Sequence, residues 1–185
     1  GEDDMLLESP GCEFGDVHHH FVLPDAHGTQ HDLNDHIGEN GVLLAFICNH
    51  CPYVVAIADR LAADAQVLMD EGFGVLAINA NDFTTYPADA PDKMPAFAEK
   101  HGFTFPYLID EDQAVARKYD AVCTPDFFGF NADGLLQYRG RLDDARMDDA
   151  SGRTPELLNA MRQIAKTGVG PRDQTPSMGC SIKWR

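Results

Sequence analysis

The chain has 185 residues, 44% of them hydrophobic, which is enough for one substantial core and short of the length at which cores usually divide. Thirty acidic against fourteen basic side chains give a formal charge of −16, and such a surface repels phosphate backbones and anionic lipid. Nucleic acid and membranes are therefore not expected partners. The charge falls in scattered pairs such as Asp143-Asp144 and Asp148-Asp149, the pattern of a solvated face. No apolar run reaches the roughly 18 residues of a membrane helix, and Glu2-Asp3-Asp4 is unlike the start of a signal peptide. A cytoplasmic location is expected, or a periplasmic one if a leader has been removed.

In chain order, residues 1–13 are expected to form a mobile N-terminus. Val17, His19, Phe21 and Leu23 alternate with other positions, and Pro24 to Gly28 is a turn into Thr29 to Leu33, so residues 17–33 are expected to form a hairpin. His18, His19 and His20 alternate across such a strand, so the three cannot converge on a metal and are expected to be solvated. Val42 to Ile47 is a continuous apolar run, the signature of a strand buried on both faces near a sheet centre. From Tyr53 to Met69, apolar residues at Val54, Ile57, Ala58, Leu61, Ala65 and Leu68 have helical spacing, with Gly72 as the stop. Phe73 to Asn79 is the next buried strand, parallel to the first through a right-handed crossover.

Residues 80–90 are expected to be a polar loop and Lys93 to His101 a helix ending at Gly102. Pro106 to Ile109 is a short strand and Gln113 to Tyr119 a helix. Phe127 to Phe130 and Leu135 to Arg139 form a hairpin through Asn131 to Gly134, because Asp-Gly tolerates positive φ. Thr154-Pro155-Glu156 caps a last helix that runs to about Lys166, and residues 169–185 form a tail packed on the domain of residues 14–168.

Between the first buried strand and the long helix stands Cys48-Asn49-His50-Cys51-Pro52. Two thiols three positions apart at a helix start form a dithiol redox site, because free N–H groups and the helix dipole stabilise an anion. A thiol of reference pKa about 8.5 is lowered to between roughly 3.5 and 7.5 in such settings. Pro52 suits the first turn, where its missing N–H costs nothing. An imidazolium at His50 would stabilise the thiolate further. Cys48 is cast as the exposed nucleophile and Cys51, one turn deeper, as the resolving thiol. The competing reading is a zinc or copper site using Cys48, Cys51 and His50, but adjacent ligands fill at most about three of four positions. The sequence has no second CxxC to supply the fourth.

Three further cysteines remain, and an odd total of five argues against a secreted disulfide scaffold. Cys12 is expected to be free, and Cys123 a small buried hydrophobe. Cys180 is either a third redox thiol or a residue packed by Trp184.

Downstream, Cys123-Thr124-Pro125 precedes the strand-like Phe127-Phe128-Gly129-Phe130. Together with the CxHCPY motif and the tail Gly179-Cys180-Ser181-Ile182-Lys183-Trp184, this resembles the thioredoxin-like superfamily, in particular bacterial redoxins of the alkyl hydroperoxide reductase/thiol-specific antioxidant type. The resemblance covers about residues 14 to 185. It implies an α/β thioredoxin-like fold, a central mixed sheet flanked by helices with an N-terminal β-hairpin. It also implies a cis Pro125 facing the dithiol, with Thr124 offering its main chain to a bound peptide and Pro52 beside it. The implied function is a thiol-disulfide oxidoreductase cycling Cys48 and Cys51, without a cofactor, acting on a protein or small-molecule disulfide or thiol and served by an unidentified reductant.

Two departures matter. Ile47 stands where thioredoxin has tryptophan, and the strand from Val42 to Ile47 holds no acid to relay protons. Cys51-Pro52 matches the peroxide-attacking cysteine of peroxiredoxins, but Cys48 replaces the threonine expected three residues earlier, so a peroxidase ranks second.

Overall fold

The computed structural model describes residues 6–185. In chain order the strands and helices are β1 Leu6–Glu8, β2 Val22–Pro24, β3 Gln30–Asp32, β4 Gly41–Phe46, α1 Pro52–Val55, α2 Ala58–Asp70, β5 Phe73–Asn79, α3 Met94–His101, β6 Tyr107–Ile109, α4 Ala114–Lys118, β7 Cys123–Thr124, β8 Asp126–Phe130, β9 Leu136–Gly140, α5 Glu156–Thr167 and β10 Met178–Ser181.

A strand apolar on both faces needs neighbours on both edges and cover above and below. β4 has all four. It lies at the centre of a five-stranded sheet of order β6-β5-β4-β8-β9, parallel to β5 and antiparallel to β8. Leu43, Ala45 and Ile47 point to one face, under Leu61 and Leu68 of α2, Phe97 of α3 and Leu157 and Met161 of α5. Val42, Leu44 and Phe46 point to the other, against Leu33, Val115 and Ala116 of α4, Tyr119 and Phe128. Each fully buried aliphatic or aromatic side chain here contributes about 1.5–3 kcal/mol, so the sheet centre is the most strongly fixed part of the molecule. The architecture is the mixed sheet flanked by helices that the sequence leads one to expect, and β5 occupies the expected Phe73–Asn79.

Several local departures have physical causes. The helical pattern from Tyr53 to Met69 is two helices, broken around Ala56 and Ile57. Arg60 Nη1 takes the Ala56 carbonyl at 3.1 Å, a group a continuous helix would use internally. The expected hairpin over 17–33 pairs only β2 with β3, while Val17 bridges to Leu135 and the His18 ring stands edge-on to Phe130. The polar loop over 80–90 contains a 3-10 turn at Pro87–Asp89. The last helix begins at Glu156 with no side-chain cap, in place of the expected capping at Thr154. Gly102 closes α3 as expected, at φ 77°, a left-handed conformation that glycine adopts without a Cβ penalty.

The two ends of the chain meet. β10 pairs antiparallel with β1 on one side and with β7 on the other, forming a separate three-stranded sheet. Where the sequence suggests a mobile terminus over residues 1–13, residues 6–8 are thus a paired strand; residues 1–5 lie outside the described residues. Cys12 is half-buried against the sheet face of Val42, Leu44 and Phe46, and burial pushes its thiol up to about 11.

Candidate active site

β4 delivers the chain to the site. Ile47 still donates to the Ile78 carbonyl at 3.0 Å, after which the backbone leaves the sheet and Cys51 becomes the N-cap of α1, with Pro52 in its first turn. The intervening loop is held from outside. Asn49 N–H donates to Asp89 Oδ1 at 2.7 Å, Asn49 Nδ2 donates to the Ala88 carbonyl, and the Tyr107 hydroxyl donates to Asn49 Oδ1 at 2.9 Å.

The Thr124-Pro125 peptide is cis, as the resemblance implies. It lies across both sulfurs: Cys48 Sγ is 3.5 Å from Thr124 Oγ1, and a protonated Cys51 reaches the Thr124 carbonyl at 3.4 Å. Cys48 is 1% exposed and Cys51 0%. Cys48 is therefore not the exposed thiol that its place before the helix suggests.

The two sulfurs sit in different electrostatic surroundings. Burial pushes Cys48 well up, and the anionic groups of Cys51 and Asp89 add to the effect. Cys51 goes down to about 5, first because the Cys48 thiol donates to its sulfur, then because Cys180 offers its thiol and main-chain N–H and Val54 its N–H. The donors aimed at Cys51 favour the thiolate there, while burial disfavours it at Cys48.

His50 faces Asp89, with Nδ1 2.5 Å from Oδ2 in an ion-pair contact, and its ring lies parallel to that of Tyr86 at 6.0 Å. The Asp89 side chain raises the His50 pKa against the opposing effect of burial. Burial pushes Asp89 upward in turn, but His50, Asn81 Nδ2 and the Asn49 N–H outweigh it and hold the carboxyl below its ordinary range. The tail closes this arrangement: Lys183 N–H donates to Asn81 Oδ1 at 2.9 Å, and Asp82 N–H donates to the Lys183 carbonyl at 2.8 Å.

Asp89, its partners Asn81 and Tyr86, and Lys183, which donates to Asn81, are the site residues that sequence patterns do not reveal. Asp89 sits in a stretch without periodicity, and the only local signal is the pair Pro87 and Pro91, whose fixed φ angles bracket a rigid turn. Among the described residues, the donors of Cys48, His50 and Asp89 lie within 4.8 Å of one another. That set omits Cys51, an expected ligand of the metal reading, and is one short of a closed tetrahedral zinc site.

The other cysteines separate clearly. Cys123 is fully buried, its thiol directed at the Pro125 carbonyl 4.0 Å away, and burial pushes its pKa far up. Cys180 is the antiparallel partner of Thr124 and packs against the core cluster that holds Cys48 and Cys51. Trp184, the alternative neighbour, instead carries the Arg117 guanidinium 4.3 Å above its ring. β10 therefore runs along an edge of the residue that the resemblance assigns to a bound peptide.

A family model described as the AhpC/TSA family matches residues 14–139. Peroxiredoxin Bcp of Escherichia coli (strain K12) is 30% identical over 121 residues, covering 65% of this chain and 72% of that protein. Thiol-disulfide oxidoreductase ResA of Geobacillus kaustophilus is 29% identical over 137 residues, or 72% of each chain. The crystal structure of an uncharacterized conserved protein from Geobacillus kaustophilus superimposes with a TM-score of 0.91 at 40% identity, covering 98% of this chain and 97% of that one.

Proposed function

The chain belongs to the AhpC/TSA family, a thiol-dependent oxidoreductase on a thioredoxin-like fold, and on that premise we propose that Cys48 and Cys51 are its redox pair. The observation that carries this reading is the Cys51 sulfur, set at the start of α1 with the Cys48 thiol donating to it beneath cis Pro125. Attack begins at Cys51. Its thiolate displaces one thiolate from a substrate disulfide and forms a mixed disulfide; Cys48 gives its proton to the departing thiolate and then displaces the second. The substrate leaves as two thiols, the second taking its proton from water, and the protein holds a Cys48–Cys51 disulfide, which a dithiol reductant reduces again.

A cavity of about 190 Å³ beside Pro125, lined in part by Tyr53, Leu142, Arg146 and Met178, supports entry of a small disulfide or of one extended cysteine-bearing segment. Pro52 and Pro125 flank the pair, and no step requires a cofactor. A reducing compartment such as the cytoplasm suits a pair that a dithiol reductant restores.

Peroxide reduction is the second reading, favoured by the anionic Cys51 directly before Pro52. The side chain three residues earlier is the Cys48 thiol rather than a hydroxyl, which favours disulfide closure over activation of the O–O bond. The test is anaerobic mixing of reduced protein with one equivalent of oxidised glutathione or of hydrogen peroxide, followed by alkylation and peptide mapping. Expected are a Cys48–Cys51 link and faster reaction with the disulfide. Both thiols remaining alkylatable would overturn the reading, and faster reaction with peroxide would promote the second one.

A further inference from the structure

One thiol beside the pair has no part in that cycle. Cys180 sits on β10, whose Gly179 is so close to Thr124 that a Cβ on it would lie 1.8 Å from the Thr124 carbonyl oxygen. The strand is thus seated on the cis-proline segment at contact distance, in antiparallel register with Thr124. Strand alternation puts Cys180 on the same face as Met178, two residues away, and Met178 lines the cavity beside Pro125. Cys180 is also partly exposed, whereas Cys48 and Cys51 are 1% and 0% exposed. The tail therefore runs along Thr124 and brings the Cys180 thiol into hydrogen-bond contact with the Cys51 sulfur.

We propose that Cys180 is a third redox thiol that resolves Cys51, so that the oxidised protein partitions between Cys48–Cys51 and Cys51–Cys180 disulfides and reductant enters through Cys180. This rests on the redox pairing of Cys48 and Cys51 proposed above. In the exchange, the Cys180 thiolate attacks the Cys51 sulfur of the Cys48–Cys51 disulfide, the S–S bond breaks, and Cys48 leaves as a thiolate; no electrons are gained or lost. A dithiol reductant then attacks the Cys180 sulfur and releases Cys51 as its thiolate. The second thiol of the reductant displaces Cys180, so the reductant departs as a disulfide with two electrons transferred to the protein. The contact that lowers Cys51 makes it the better leaving group in that step.

The experiment uses the full chain as wild type, Cys48→Ser, Cys180→Ser and the double variant, each reduced, exposed to oxidised glutathione and mapped after alkylation. Cys48→Ser is expected to form an intramolecular Cys51–Cys180 link and to retain no glutathione, whereas the double variant retains glutathione on Cys51. Equal retention by the two would overturn the proposal. Oxidised wild type supplies a measurement free of any folding defect: both linkages are expected, and Cys48–Cys51 alone would also overturn it. Re-reduction of oxidised Cys180→Ser by a dithiol is expected to be at least roughly tenfold slower than that of wild type. If Cys180→Ser, folded by circular dichroism, forms no Cys48–Cys51 link, the pairing itself fails, an outcome distinct from the loss of Cys180's role alone.

Discussion

Cys51 and Cys123 are equally withdrawn from water, at 0% exposure each, yet their thiols move in opposite directions. Cys123 is pushed up by burial first and then by the nearby Asp126, Cys51 and Cys180, with Arg139 too weak to compensate, and it stays a neutral thiol. Cys51 suffers the same desolvation but sits among donors: the Cys48 and Cys180 thiols and the N–H groups of Cys180 and Val54. The difference is the count of donors aimed at the sulfur, and it arises because Cys51 lies where a helix starts and a strand passes. Burial by itself makes an inert cysteine.

The sharpest test of this contrast is deletion of each sulfur in turn. Cys51→Ser is expected to lower the rate of disulfide reduction by at least about 10³-fold, since it removes the nucleophile. Cys123→Ala should leave that rate within about twofold and cost roughly 1 kcal/mol in urea unfolding, as an ordinary core truncation does. Equal losses of activity would erase the distinction between the two.

A second test removes donors without touching the sulfur. Gly179→Ala drives a Cβ into the Thr124 carbonyl, so β10 must lift away; a cost of about 1–3 kcal/mol is expected, as for other overpacked sites. Cys51 then loses the Cys180 contacts, and its alkylation profile against pH should move upward toward that of an ordinary thiol. An unmoved profile would show that Cys48 and α1 suffice.

The smallest expected effect concerns the pair behind the dithiol. His50 has a raised pKa, so its contribution to stability is complete below its unfolded value near about 6.5 and fades as pH rises through the folded value. Asp89 has a lowered pKa, so its contribution is present above about 3.9 and fades as pH falls through the folded value. Asp89→Asn should lower the His50 pKa toward the ordinary imidazole range and cost about 1 kcal/mol near neutral pH, smaller than for a fully buried pair because His50 is partly exposed. NMR titration of the His50 ring in both proteins measures the shift; coincident curves would remove Asp89 from the account.

These contrasts also mark what the sequence shows. Val42 to Ile47 and Phe73 to Asn79 are legible because a doubly buried strand is a continuous apolar run, and the dithiol because its residues are contiguous. The break at Ala56 is hidden, since apolar spacing continues straight through it and the Ala56 carbonyl is taken from the side by Arg60. Asp89, Tyr86 and Lys183 come from irregular segments that meet only in three dimensions, and no local pattern joins them. The pairing of β1, β10 and β7 involves runs of two to four residues far apart in the chain, too short for any periodicity to register. The identity of the thiolate is likewise illegible, because the donors that select Cys51 include a residue well over a hundred positions away.

The seat of β10 on Thr124 also has a consequence for biosynthesis. Translation delivers residue 51 to the cell long before residue 180, and chains begin folding from the N-terminal side as they emerge. During that interval the nascent chain carries the paired cysteines without the donors that β10 supplies, so Cys51 behaves more nearly as a common thiol and exchanges less readily with other disulfides. The donors that β10 supplies reach Cys51 only when the strand around Gly179 docks.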